Sequence, residues 1–224
     1  RFSNAPPSPI RKPLVANWPS MQKAIFLSIT LLLTSLVNAQ TEIKKFVTQN
    51  TVSISTIEPD SSDYYDLNVI GKAIGNSKIV MLGEQDHGDA PTFLAKTRLI
   101  KYLHEKMGFN VLAFESDFFG LNFGFDRLDK TKSKIDSFLQ KNIFPIWTYC
   151  NTCQNLFVRY IPATYQTKNP LIITGFDNQL ILNFSSKNLT LYLDSSLQSL
   201  NISITKQKNY KSEILPLIDS LKYW

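Results

Sequence analysis

Residues on which compact functional motifs are often built are scarce in this 224-residue sequence: two cysteines, two histidines and eight glycines. No Gly-x-Ser-x-Gly elbow occurs, so the sequence gives no support to a serine esterase of the α/β-hydrolase type. Neither a glycine-rich phosphate loop nor a dinucleotide fingerprint is present. The one C-x-x-C pair, Cys150 and Cys153, has no second pair to complete a four-ligand zinc site. Its flank, Trp147 to Phe157, reads as helical, unlike the strand-to-helix junction of a redox-active pair. Two helical thiols or a local disulfide remain as readings. A long apolar run is missing too. Ala24 to Leu36 spans about 13 residues, too few to cross a bilayer core of about 30 Å as a helix.

The excess of positive charge is mostly confined to one end. The formal net charge is +6, but residues 1–39 hold Arg1, Arg11, Lys12 and Lys23 and no acid, leaving 20 basic and 18 acidic side chains beyond them. A net +2 over that remainder does not point to nucleic acid as a partner. Residues 1–20 are Pro-rich and precede Met21, so they read as an upstream leader. Met21 to Ala39 has the order of a secretory signal: a short positive start at Lys23, the apolar run, then the small residues Val37-Asn38-Ala39. The expected mature N-terminus is Gln40; because it is not cysteine, no lipid anchor is expected. The expected product is exported, periplasmic or secreted, with no stable membrane anchor after signal cleavage.

Residues 40–224 are long enough for one α/β domain with a substantial core. The segment closes at Tyr223-Trp224 directly after a helical pattern, and reads as the N-terminal part of a domain truncated at its C-terminus. Residues 40–62 are Ser/Thr-rich and read as an extended lead-in, followed by a helix from Tyr64 to Ile74. Lys78 to Leu82 is a candidate strand. Ala90 to Met107 is a helix with Asp89 as its cap, Pro91 in its first turn and Gly108 closing it. Asn110 to Phe114 is a second strand, completing a right-handed βαβ unit. A loop of Phe and Gly residues (118–124), a further helix and a third strand, Leu171 to Thr174, follow. Residues 183–224 read as amphipathic helix broken at Pro216. The fold expected is α/β, a mostly parallel sheet flanked by helices.

Carboxylates end all three candidate strands. The first runs into Glu84-Gln85-Asp86-His87-Gly88, the second into Glu115-Ser116-Asp117, the third into Gly175-Phe176-Asp177. In open α/β sheets that edge is where ligands bind, so a shared acidic crevice is expected there. His87 lies among acids that support its basicity. Lys96 falls at the centre of the apolar stripe formed by Phe93, Leu99, Ile100, Leu103 and Met107. An ammonium there either snorkels to water or meets a carboxylate, with Glu84, Glu115 and Asp117 as candidates. Arg98 falls on the opposite face with Lys101 and Glu105 and reads as solvated; His104 reads as structural. One histidine among scattered carboxylates is a weak metal signature, so neither a metal nor another cofactor is expected.

Taken in order, Leu82-Gly83-Glu84-Gln85-Asp86-His87-Gly88, Lys96 to Leu103, Met107-Gly108-Phe109, Ala113-Phe114-Glu115, Ile146-Trp147 and Gly175-Phe176-Asp177-Asn178-Gln179 resemble the erythromycin esterase family over roughly residues 63–180. The resemblance implies an erythromycin-esterase-like fold and hydrolysis of a small-molecule carboxylic ester or macrolide-type lactone with no covalent intermediate. It implies that His87 is the general base for a water, that Glu84 and Glu115 orient it or share its proton, and that Lys96 stands near the substrate carbonyl. Arg98, matching a family arginine, and Asp117, Trp147 and Asp177 are the substrate-binding candidates. Two departures stand out: Pro91 occupies a position that is often acidic in the family, and the family's domain extends further and adds another histidine. The second reading is a non-catalytic exported binding domain for a metal, haem or polyanionic ligand, or an inactive fragment of the esterase.

Overall fold

The computed structural model describes residues 18–84 and 86–223, in two compact units that divide between Val52 and Ser53. Most of the expected leader (1–17) lies outside the described residues. The first unit contains helix α1, Trp18–Asn50. Its reach to Asn50 corrects the extended lead-in expected from residue 40. Glu42, Lys44, Lys45 and Gln49 favour helix, Ile43, Phe46 and Val47 repeat at helical spacing, and no Pro or Gly interrupts before Pro59. Among the described residues, no helix is long and apolar enough to cross a membrane.

The second unit begins with an irregular segment that turns at Pro59-Asp60, then a 3₁₀ turn at Tyr65–Leu67 and helix α2, Asn68–Ile74. Helix α3, Ala90–Met107, follows the sequence expectation at both ends. The Asp89 side chain accepts from Thr92 N at 3.0 Å, with Pro91 in the first turn. At the other end Gly108 adopts a left-handed conformation (φ 76°), which glycine reaches without a Cβ penalty. Phe109 N then donates back to Leu103 O, and the Phe109 ring packs on the cluster that contains Leu103.

Strand β1 is Val111–Asp117 and β2 is Ile172–Asp177; they pair in parallel, with Val111 opposite Ile172 and Phe114 opposite Gly175. Helices α4 (Lys132–Asn142), α5 (Pro145–Thr148) and α6 (Ile161–Thr164) make the crossover between them. Both strands run further than expected, to their terminal aspartates. The expected strand at Lys78–Leu82 joins no ladder among the described residues. Its alternation is nonetheless real: Val80 and Leu82 pack inward, while Ile79 and Met81 are exposed. Alternation specifies which side chains turn toward a core; it does not supply a hydrogen-bonding neighbour.

The main core joins Leu121, Ile135, Leu139, Leu156, Phe157 and Ile173, drawing together the helices and the inner face of the sheet. The outer face, with Val111, Ile172 and Phe176, is exposed. The expected Phe/Gly loop instead winds into a π-helical turn at Gly120–Gly124, because the Asp117 carboxylate accepts from Gly120 N at 2.9 Å. Cys150 and Cys153 form a disulfide, between α5 and a π-helical turn at Asn155–Tyr160. After β2 come helix α7, Asn183–Ser199, and helix α8, Leu215–Asp219. Pro216 sits in the first turn of α8, which continues directly from a π-helical turn at Tyr210–Ile214, so the helical path runs through the proline instead of breaking there.

The ladder shifts register between Phe114 and Asp117, opposite Gly175. A Cβ at Gly175 would lie 2.6 Å from Ser116 O and 2.8 Å from Asp117 O, closer than two backbones can be forced without moving. Gly175→Ala is therefore expected to lower stability by about 1–3 kcal/mol. Urea unfolding reads this as a lower midpoint at unchanged slope; an unmoved midpoint would show that the strand ends separate without cost.

Candidate active site

The loop from Gly83 to Asp89 turns at Gly88, whose φ of 84° suits glycine, and delivers Glu84 and His87 beside the N-terminal half of α3. One oxygen of Glu84, Oε1, contacts His87 Nδ1, and the other, Oε2, accepts from Lys96 Nζ at 3.3 Å. One carboxylate thus bridges the imidazole and the ammonium. Glu84 and Lys96 are mostly shielded, whereas the His87 side chain is 61% exposed and accessible to water. With Nδ1 directed at a carboxylate, the tautomer that donates there leaves Nε2 as the free lone pair.

Trp147 completes the group. Its ring meets His87 edge-on, with centroids 5.3 Å apart, and lies 5.9 Å from Lys96 Nζ. The buried Ser116 hydroxyl sets this position by accepting from Phe144 N at 3.2 Å, at the start of the turn into α5. Pro145, in the first turn, fixes the helix entry. Lys96 therefore takes the carboxylate route out of its apolar stripe, and Glu84 is the partner. The contact of Trp147 with His87 has no sequence signature beyond the resemblance, since 60 residues separate them.

The other candidate residues do not join this group. Glu115 is exposed on the outer face of β1, and its side chain makes no ion pair or hydrogen bond among the described residues. Asp117 is fully buried and holds the fold: besides Gly120 N, it accepts from Ser185 Oγ at 2.6 Å and Leu182 N at 3.3 Å. Those bonds occupy the carboxylate and tie β1 to the start of α7, which corrects its assignment to substrate. Asp177 accepts from Gln179 N at 2.8 Å and shapes the turn after β2. The strand-end acids are thus distributed among different tasks, and the expected shared crevice is not formed by them. Among the described residues, no group of three or more His, Cys, Asp or Glu side chains is placed to hold a metal ion.

Arg98 is a larger correction. It is 1% exposed, not solvated. Its guanidinium reaches Asp66 with two contacts, Nη2 to Oδ1 at 2.7 Å and Nη1 to Oδ2 at 3.1 Å. It also donates to Thr56 O at 2.8 Å and Asp63 O at 2.6 Å. Asp66 in turn accepts from Ser55 N and Ser55 Oγ. Periodicity missed this partner set because residues 55–66 are irregular and lie over 30 positions away in sequence. His104 is buried as expected, bonded to Tyr160 Oη at 2.7 Å and Asn169 Nδ2 at 3.2 Å.

Three comparisons place these observations beside known proteins. No family model matches the chain. It is 35% identical over 127 residues to the Bacillus subtilis (strain 168) protein named "Putative hydrolase YbfO", covering 57% of this chain and 28% of that protein. The chain therefore spans well under half the length of that relative. Two solved structures resemble it in fold: a Bacillus cereus protein (TM-score 0.56, 19% identity, 80% of this chain and 42% of that one) and a succinoglycan biosynthesis protein (TM-score 0.57, 24% identity, 78% and 43%). At such identities these two structures bear on fold alone.

The Arg98 guanidinium, foremost through its hydrogen bonds, holds the Asp66 carboxyl well below the usual carboxylate range. A lowered folded-state pKa means the unfolded chain takes up this proton first as pH falls. The contribution is complete above the ordinary aspartate value of about 3.9 and disappears as pH drops through the lower folded value. Asp66→Asn should cost about 3–5 kcal/mol at neutral pH, the usual loss when one partner of a buried pair is removed. It should also flatten the decline of stability below about pH 4. Urea midpoints measured across that range test both, and parallel wild-type and variant profiles would refute the linkage.

Proposed function

We propose that this chain carries part of the active site of an exported ester or lactone hydrolase of the erythromycin-esterase type, in which His87 activates a water. One observation carries the reading: a single carboxylate, Glu84, contacts both the Nδ1 side of an exposed imidazole and the ammonium of Lys96. The likeness to a protein named as a hydrolase supports hydrolysis at the coarse level. The ester or lactone substrate, and macrolides in particular, rest on the sequence resemblance.

In the proposed reaction Glu84 accepts a hydrogen bond from Nδ1–H and holds the ring, leaving Nε2 to receive a proton from water. The resulting hydroxide adds to the substrate carbonyl carbon. Lys96, kept near by Glu84 and Trp147, offsets the negative charge that develops on the carbonyl oxygen. The C–O bond to the alkoxy group then breaks, and that oxygen takes the proton back from His87. Water and ester are consumed; acid and alcohol leave, and no bond to the protein forms. Export is part of the same proposal, supported by the signal-like order of Met21 to Ala39 and by the Cys150–Cys153 disulfide, which suits an oxidising compartment.

His87→Asn keeps a polar side chain of modest size but removes the base. Ester hydrolysis by the protein should fall by roughly 10²–10⁴-fold, the usual worth of a general base, with unchanged far-UV circular dichroism. Undiminished turnover in a folded variant would remove His87 from this role.

A further inference from the structure

Beside the Glu84–His87–Lys96 group lies a cleft of about 320 Å³, at the small end of ligand pockets. Its walls include Ile54 and Ile57 of the irregular segment, Leu67 and Ile70 around α2, Ala95 and Leu99 of α3, and Met81 and Leu82. Most of this lining is apolar, with the hydroxyl-bearing Thr56 and Thr92 among it. The cations are Lys96 and Arg98, and they differ in availability. Both terminal nitrogens of Arg98 are bound to Asp66, Thr56 and Asp63, so Arg98 serves as wall. Lys96 borders the cleft and also bonds Glu84, so the apolar space adjoins the proposed reaction centre through one side chain and through Gly83.

We infer that this cleft is the acyl subsite: it takes an aliphatic acyl chain whose carbonyl stands at Lys96 and His87. The inference rests on the reading of His87 and Lys96 as ester-hydrolysing groups, and adds which side of the ester is selected. The carbonyl carbon bears both the acyl chain and the alkoxy oxygen, so the oxyanion alone does not choose between them; the acid product does, because its carboxylate stays on the acyl chain and Lys96 is the cleft's available cation. With that carboxylate held at Lys96, the hydrocarbon chain enters the space lined by Ala95, Leu99, Leu67 and Ile70, whereas the released alcohol carries no charge for Lys96 to hold.

Straight-chain carboxylates are product-like probes that bind without turnover. In isothermal titration calorimetry on the full chain, affinity should rise from acetate through butanoate to octanoate, roughly fourfold for each methylene that enters the cleft. Ala95→Phe from α3 and Ile70→Trp from α2 fill the cleft from opposite walls, and each should abolish the dependence on chain length while circular dichroism stays native. Octanoate binding no tighter than acetate in the wild type overturns the subsite, whatever the esterase activity. So does chain-length dependence that survives in both folded variants. Octanoate preference in a protein that hydrolyses no ester would keep the subsite and refute the catalytic reading, so the two failures are separable.

Discussion

Arg98 is the interaction around which the second unit is organised. A guanidinium cannot shed its charge at any physiological pH, so burying it obliges the chain to bring acceptors to it. Asp66 supplies a two-pronged carboxylate, and the carbonyls of Thr56 and Asp63 take the remaining hydrogens of the terminal nitrogens. Only Nε is left without a partner among the described residues. The consequence is geometric. An irregular stretch from Ser55 to Asp66, with little regular structure of its own, is fastened to α3 and becomes one wall of the cleft. The same helix carries Lys96 two residues earlier, so fastening α3 also fixes where the Lys96 ammonium meets Glu84.

What the sequence revealed depended on how local the cause was. The ends of α3 were legible because Asp89, Pro91 and Gly108 act within a few residues of themselves. The segment at Lys78–Leu82 was half legible: its inward and outward residues were correct, but pairing depends on a neighbouring backbone that pattern cannot identify. Arg98 was misread because helical phase describes one helix in isolation, and a polar face becomes interior when another segment folds over it. Asp117 was misread for the opposite reason. A strand-end acid looks available until the N–H groups of Gly120 and Leu182 and the Ser185 hydroxyl arrive from elsewhere in the chain.

The site shows the same division. Glu84 and His87 are three residues apart and could be read together, and an ammonium in an apolar stripe announced that it needed a carboxylate. Trp147 owes its place to a longer chain of causes. Ser116, buried at the end of β1, bonds the backbone at Phe144; that bond sets the turn into α5, and α5 presents the indole to His87 and Lys96. Each link is ordinary, but the product depends on tertiary structure and is invisible to spacing.

The charge balance of this small group bears on how the proposed reaction would proceed. The proposed reaction starts from the Glu84 carboxylate paired with the Lys96 ammonium and uses His87 as a neutral base, a starting arrangement with no net charge. In that proposal, when a water loses its proton to His87, an imidazolium would form against the Glu84 carboxylate while the opposite charge would develop on the substrate oxygen near Lys96. The net charge is unchanged; what grows is a dipole whose positive end already faces a carboxylate and whose negative end faces an ammonium. Charges positioned before the reaction need little reorganisation to stabilise that dipole, and the indole of Trp147, by displacing water from one side, strengthens both contacts. Under the proposed mechanism a shared carboxylate would serve better than two separate ion pairs, because one anion would both orient the base and keep the cation beside the carbonyl.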